Sequence, residues 1–266
     1  MSNTILVMGP AGSGKSTFAL SGEGLTAYME FDPGSFARAA KGRNIDMSRV
    51  VLTRHYPPLT SLLDIGEMMK GSGGGLAPQA ARHLKGWMET YESFVRAYLD
   101  ALDNADVTTI VIDTETRMWL TIRQAFLQQM QDSSTDAKAL DQLHYTEPNA
   151  RHDQILVAAK IYDKDLVLIS HMKEEFKGNK GTGVMIHDGY KEAPNEADLT
   201  LEFAVEDASP IAWVRKGTLA LVGMKLTAPT LPYCSELLDA AAAIQRAGLD
   251  MPETPDEVLE LGKVLA

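Results

Sequence analysis

Lys15 and Ser16 close the stretch Gly9-Pro10-Ala11-Gly12-Ser13-Gly14-Lys15-Ser16, which fits G-x-x-x-x-G-K-[ST] at every fixed position. The chemistry this pattern serves is the binding of a nucleoside triphosphate. Glycines let the backbone turn sharply and bring N–H groups against phosphate oxygens. The lysine places a cation on the β- and γ-phosphates, and the hydroxyl after it is a ligand for Mg²⁺. Gly9 to Thr17 are therefore the expected contacts to ATP. The context is the required one. The apolar run Ile5-Leu6-Val7-Met8 leads into the loop, and a helix with Phe18, Ala19 and Leu20 on its buried face follows it. Its N-terminus is expected to add partial positive charge.

A second acidic element comes later. The run Thr108-Thr109-Ile110-Val111-Ile112-Asp113 reads as a buried strand ending in an acid. An acid at the carboxyl end of a strand near a phosphate loop holds Mg²⁺, through water, or orients the attacking water. Ser16 and Asp113 are thus the candidate metal ligands.

Two further stretches carry charge in suggestive places. Between His171 and Lys191, Lys173, Lys177, Lys180 and Lys191 stand against Glu174, Glu175 and Asp188, a local net of +1 in a chain of net −11. Lysines neutralise phosphates, and Phe176 among them can stack on a base. Four glycines (Gly178, Gly181, Gly183 and Gly189) lead us to expect a mobile loop here. Arg215-Lys216 follows a late strand.

These residues need a scaffold, and the hydrophobic pattern supplies one. Leu25–Phe31, Val50–Thr53, Asp165–Ser170, Leu199–Val205, Ile211–Val214 and Thr218–Leu221 read as strands alongside the two already named. Helices are expected over Ser35–Ala40, Leu59–Lys70, after Pro78, around Met118–Met130, over Asn149–Tyr162, and in two final segments at Ser235–Ala247 and Pro255–Leu265. Gln131–Leu143 reads as a loop or frayed helix, and Gly71–Gly75 as a hinge. In the helix after Pro78, Trp87, Met88, Tyr91, Phe94, Val95, Tyr98, Leu99 and Leu102 recur at helical spacing, a core stripe. Strands alternating with helices imply a mainly parallel sheet covered on both faces. The late strands, with no helix between them, imply an antiparallel extension. The fold class expected is a three-layer α/β/α P-loop NTPase, with a core over 1–230, a helical insertion at about 57–104 and an acidic helical appendage over 231–266.

Composition narrows the classes. The chain has 266 residues, 45% of them hydrophobic, enough for a full core, with no apolar run of membrane-spanning length. Cys234 is the single cysteine, so no intrachain disulfide can form and a cytoplasmic setting is expected. A net charge of −11 argues against a generally basic nucleic-acid binder and leaves room for a local basic site. Glu236 to Ala266 holds seven acids against Arg246 and Lys263.

The order of these pieces resembles a known family. After the phosphate loop, YMEFDPGSFARAAKGRNIDMSRVVLT is similar to the segment of RecA-type recombinases in which a strand ends in an acidic pair. LVLISHMKEEF resembles the strand leading into their second DNA-binding loop, and Ala197–Leu201 the return strand. The chain looks like the short phage-type RecA-core ATPases that act as single-strand annealing proteins. The likeness spans roughly 3–230. It implies that Asp32, with Glu30 at the first acidic position, polarises the attacking water, and that His171 stands at the γ-phosphate sensor. It also implies that Lys173, Phe176, Lys177 and Lys180 meet single-stranded DNA, and that Arg215 or Lys216 reaches a neighbouring subunit's nucleotide in a homo-oligomer. A single-stranded-DNA-binding protein would be a fitting partner. The chain departs from that family in having Asp for Glu at the base, His at the sensor and the 57–104 insertion.

The expected activity is ATP hydrolysis coupled to single-stranded DNA in recombination, annealing or repair. A DNA-packaging or helicase-type motor shares the same core. A small-molecule kinase needs an arginine-bearing lid over the phosphates, and the 171–191 stretch has no arginine. A nucleotide-gated binding protein with little hydrolysis is a further alternative.

Overall fold

The strands that carry the site are apolar on both sides because helices cover both faces of their sheet. The computed structural model of the chain describes residues 2–41, 45–58, 85–133, 139–178, 180–217 and 221–265. In chain order the elements begin β1 (Thr4–Met8), α1 (Lys15–Ala19), β2 (Leu25–Glu30), α2 (Ser35–Lys41), β3 (Val50–Arg54), α3 (Trp87–Asp103), β4 (Val107–Asp113) and α4 (Glu115–Ser133). They continue α5 (Thr146–Ile161), β5 (Asp165–Ile169), β6 (His171–Lys177), β7 (Lys180–Asp188), α6 (Ala193–Glu196), β8 (Leu199–Glu206) and β9 (Ser209–Lys216). β10 (Lys225–Thr227), α7 (Leu231–Arg246) and α8 (Pro255–Leu265) close the chain.

Eight strands form one sheet in the order β10-β9-β8-β1-β5-β4-β2-β3. From β8 to β3 every neighbouring pair is parallel; β9 and β10 add antiparallel. The fold is the α/β P-loop NTPase class, with a mainly parallel sheet and an antiparallel extension. Alternate strand residues serve opposite layers. Ile5, Val7, Val111, Val167 and Ile169 pack with Phe18 of α1 and Phe36 of α2. Leu6, Ile110, Ile112, Leu166 and Leu168 pack with α3, α4 and α5 through Phe94, Met118, Ile122 and Ile155. Burying both faces leaves no room for polar alternation, so these strands read as continuous apolar runs.

The sequence reading set 231–266 apart as an appendage. In the structure Cys234, Leu237, Ala241 and Ile244 of α7 and Val258 of α8 belong to the same buried cluster as β1, so these helices are part of the layer over that face. Their acids stay outside because only one face of each helix meets the core. The readings at 59–84, which include the Leu59–Lys70 helix, the Gly71–Gly75 hinge and the first part of the helix expected after Pro78, lie outside the described residues. So do residues 218–220 of the expected Thr218–Leu221 strand; β10, further along the chain, pairs antiparallel with β9.

The 171–190 stretch corrects an expectation. It is a two-stranded antiparallel hairpin, with Lys177 opposite Lys180 at the tip and His171 opposite Asp188 at the base. Gly178 sits at φ 66, the left-handed region that a tight turn needs.

Candidate functional site

The parallel strands end at one edge of the sheet, and the residues singled out for chemistry converge there. The phosphate loop leaves β1 between β5 and β8, and β5 separates it from β4. His171 follows the end of β5, Asp113 ends β4, and Glu30 stands opposite Asp113 in register at the end of β2. A cleft of about 310 Å³ opens at this edge, lined by loop residues Gly12 to Thr17 and by Asp32, Arg38, Asp113, Thr114 and His171. That volume is within the range of small-molecule sites.

The start of the loop is held against β8, the parallel neighbour of β1. Gly9 adopts φ 146, and a Cβ there would lie 2.4 Å from the carbonyl oxygen of Phe203, so only glycine allows the close approach. α1 is just five residues long. Its contribution to anion binding is therefore the free N–H groups of its first turn rather than a long helix's summed dipole. Lys15 is nearly buried; its Nζ donates to the carbonyl oxygens of Gly9 and Pro10, each at 2.7 Å. Burial lowers its pKa, and the charge of Asp113 opposes that shift. An ammonium so placed gains from a phosphate partner that restores its lost hydration.

Asp113 is buried and shared. Ser16 Oγ donates to its Oδ2 at 2.9 Å, and the phenol of Tyr28, itself buried in the core, donates to the same oxygen. Burial pushes the Asp113 carboxyl up, while the bonds from Tyr28 and Ser16 pull it down. Burial and the adjacent carboxylate raise the Tyr28 phenol, which therefore stays a donor. Tyr28 was not singled out in the sequence because it sits within an ordinary apolar strand. Ser16 and Asp113 supply two hard oxygens on one side of the cleft. That donor set fits Mg²⁺, which is held by one or two carboxylates together with phosphate oxygens and water. When bound, the ion would neutralise charge developing on the phosphates.

The two candidates for the water-polarising acid differ sharply. Asp32 lines the cleft, and its Oδ2 lies 3.3 Å from Arg38. Glu30 is buried and engaged: Oε1 accepts the Phe36 N–H at 3.0 Å, and Oε2 meets the Tyr56 hydroxyl and, at 3.3 Å, Arg54. Glu30 thus ties α2 and the end of β3 to β2.

A second concavity adjoins the cleft across Gly12, Ser13, Gly14 and Thr17. Its other walls are Phe18, Phe203, Val205, Ala208, Pro210 and Pro229.

Arg215 and Lys216 do not line the cleft of their own chain. Arg215 Nε bonds Glu202 at 2.6 Å, and Lys216 Nζ donates to the carbonyls of Ala197, at 2.7 Å, and Asn195. On the hairpin, Lys173 pairs with Asp188 at 2.9 Å and Lys177 with Glu175 at 3.5 Å. Phe176 is 63% exposed.

Residues 1–225 match the family described as AAA domain. The chain belongs to this AAA domain family. The match takes in the phosphate loop, Asp32, Asp113 and the hairpin, so the AAA domain and the candidate site are one unit, a P-loop ATPase domain. No curated protein matches the sequence. Among solved structures the AAA domain is similar to the RadB recombinase, 14% identical over 85% of this chain and 86% of that one, TM-score 0.46. It is also similar to a KaiC-like protein, PH0186, from Pyrococcus horikoshii OT3, 11% identical over 85% and 84%, TM-score 0.45. A third likeness is to an ATPase of the type III secretion system of pathogenic bacteria, 13% identical over 100% and 74%, TM-score 0.43. No helix among the described residues is long and apolar enough to cross a membrane.

Proposed function

We propose that this ATPase domain binds ATP with Mg²⁺ and couples its hydrolysis to single-stranded DNA held by the β6–β7 hairpin, as a RecA-core protein of recombination, annealing or repair. One observation carries the reading: His171, the first residue of the hairpin, is also a wall of the cleft. What happens at the phosphates therefore reaches a projecting element that bears Phe176 and three lysines.

In this reading the triphosphate lies along Gly9 to Thr17, with Lys15 on the β- and γ-phosphates. The base occupies the concavity beside Phe203 and Pro210. Ser16 and Asp113 face the metal, Asp32 takes the proton of the attacking water, and His171 meets the γ-phosphate. Lys173, Lys177 and Lys180 meet DNA phosphates, and Phe176 stacks on a base. In a homo-oligomer, Arg215 or Lys216 of a neighbour completes the site by stabilising charge on the transferring phosphoryl group.

The test is the ATPase rate with and without single-stranded DNA, together with DNA affinity with and without a non-hydrolysable ATP analogue. Stimulation by DNA and tighter DNA binding with the analogue are expected. Phosphoryl transfer to a small acceptor, or DNA indifference in both measurements, would overturn the DNA reading. Mixing Lys15→Ala with Arg215→Ala/Lys216→Ala subunits should restore activity if the site is shared.

A further inference from the structure

Glu115 lies two residues beyond Asp113, at the start of α4, yet it turns away from the cleft. It is fully buried, and four groups converge on its carboxylate. His152 Nε2 of α5 bonds Oε1 at 3.0 Å, and the Tyr190 N–H reaches the same oxygen at 2.8 Å. His187 Nε2 of β7 bonds Oε2 at 3.0 Å, and Ser170 Oγ stands 3.4 Å from it. The Tyr190 N–H and the Ser170 hydroxyl donate to it, and one imidazole Nε2 lies within hydrogen-bond distance of each of its two oxygens.

The backbone has been shaped to admit this carboxylate. A Cβ on Gly189 would lie 1.7 Å from Glu115 Oε2, so a side chain at position 189 would have to displace the carboxylate. The neighbouring Thr116 holds the other strand of the hairpin: its Oγ1 accepts the His171 N–H at 3.0 Å and bonds Ser170 Oγ at 3.0 Å. Both strands of the hairpin are thus fastened to residues 115 and 116, directly after Asp113 and Thr114, which line the cleft. Well-packed apolar side chains would secure a strand as firmly as a buried ionic cluster. What the cluster adds is direction: every lone pair must keep its donor, so the partners move together or not at all.

We infer that Glu115 is a positioning residue that couples the nucleotide cleft to the β6–β7 hairpin, carrying displacement of Asp113 and Thr114 to His187 and Tyr190 while Thr116 carries it to His171. The inference rests on nucleotide binding in the cleft and does not require that the hairpin bind DNA.

The experiment is hydrogen–deuterium exchange over residues 171–188 of the whole chain, with and without a non-hydrolysable ATP analogue and Mg²⁺. In wild type the analogue should slow exchange by about fivefold or more, the low end of site-to-site coupling. Glu115→Gln removes the charge, and His187→Phe removes a donor while filling its volume. Both should still bind the analogue, yet the hairpin's response should vanish; His187→Gln, which keeps a donor, should restore it. If Glu115→Gln does not fold, His187→Phe decides the matter alone. A wild-type-sized response in His187→Phe overturns the inference. So does a wild-type hairpin that ignores bound analogue. Failure of wild type to bind the analogue would remove the nucleotide reading and the inference together, which separates the two kinds of failure.

Discussion

Ser16 Oγ lies 2.9 Å from Asp113 Oδ2, although 97 residues separate the two in the chain. One stands at the start of α1 and the other at the end of β4, two strands away from β1 in the sheet. In the proposed reading this contact would bring a metal-binding carboxylate against the phosphate loop.

Asp113→Asn should therefore lower kcat for ATP by at least ~10²-fold, the scale of losing one group that organises transition-state charge. Binding of ATP without Mg²⁺ should change little, and calorimetry in EDTA checks this. A kcat within a fewfold of wild type would assign the role to another acid.

Tyr28→Phe keeps the ring in the core and removes only the hydroxyl that bonds Asp113. A partner that orients a metal-binding carboxylate is typically worth roughly 10–100-fold in metal affinity. We expect a loss on that scale in Mn²⁺ binding to the protein–ADP complex, followed by electron paramagnetic resonance, with the thermal midpoint near wild type.

Lys15→Ala should abolish tight ATP binding while the fold survives, because among the described residues the hydrogen bonds of Lys15 Nζ go to the carbonyls of Gly9 and Pro10 in its own loop. Calorimetric titration and a thermal melt give the two readouts. Unchanged ATPase in the folded variant would remove the phosphate-loop assignment.

Asp32→Asn and Glu30→Gln should fail in different ways. The first should cost ~10²–10⁴-fold in kcat, the usual contribution of a positioned general base, with little effect on stability. Glu30→Gln leaves buried donors poorly matched and should destabilise by roughly 1–3 kcal/mol. If Glu30→Gln instead loses the chemistry at full stability, the two roles are reversed.

His55 gives a pH dependence whose sign can be worked out. It is buried between Phe31 and Phe94, and burial lowers its pKa from 6.5 to about 4. The folded protein therefore resists its protonation more than the unfolded chain does. Stability from this group is fully present above pH 6.5 and falls as the pH drops toward 4. His55→Phe should flatten that part of the profile in urea denaturation at stepped pH. An unchanged slope would mean that other groups carry the acid sensitivity.

The sequence by itself determined the phosphate loop, Asp113, most of the strands and helices and the parallel core. These are local signals: fixed spacing around glycines, and apolar runs whose length and period report burial on both faces. Tertiary structure decided what depends on long-range contact. It gave Asp113 its Tyr28 partner, engaged Glu30 with Tyr56 and Arg54 while leaving Asp32 in the cleft, and buried Glu115 against two histidines far along the chain. It also placed α7 and α8 over the sheet. None of these has a sequence period, because a hydrogen bond between distant residues depends on which strands lie side by side. Strand order is set by the packing of the whole sheet, and no single stretch of the chain records it.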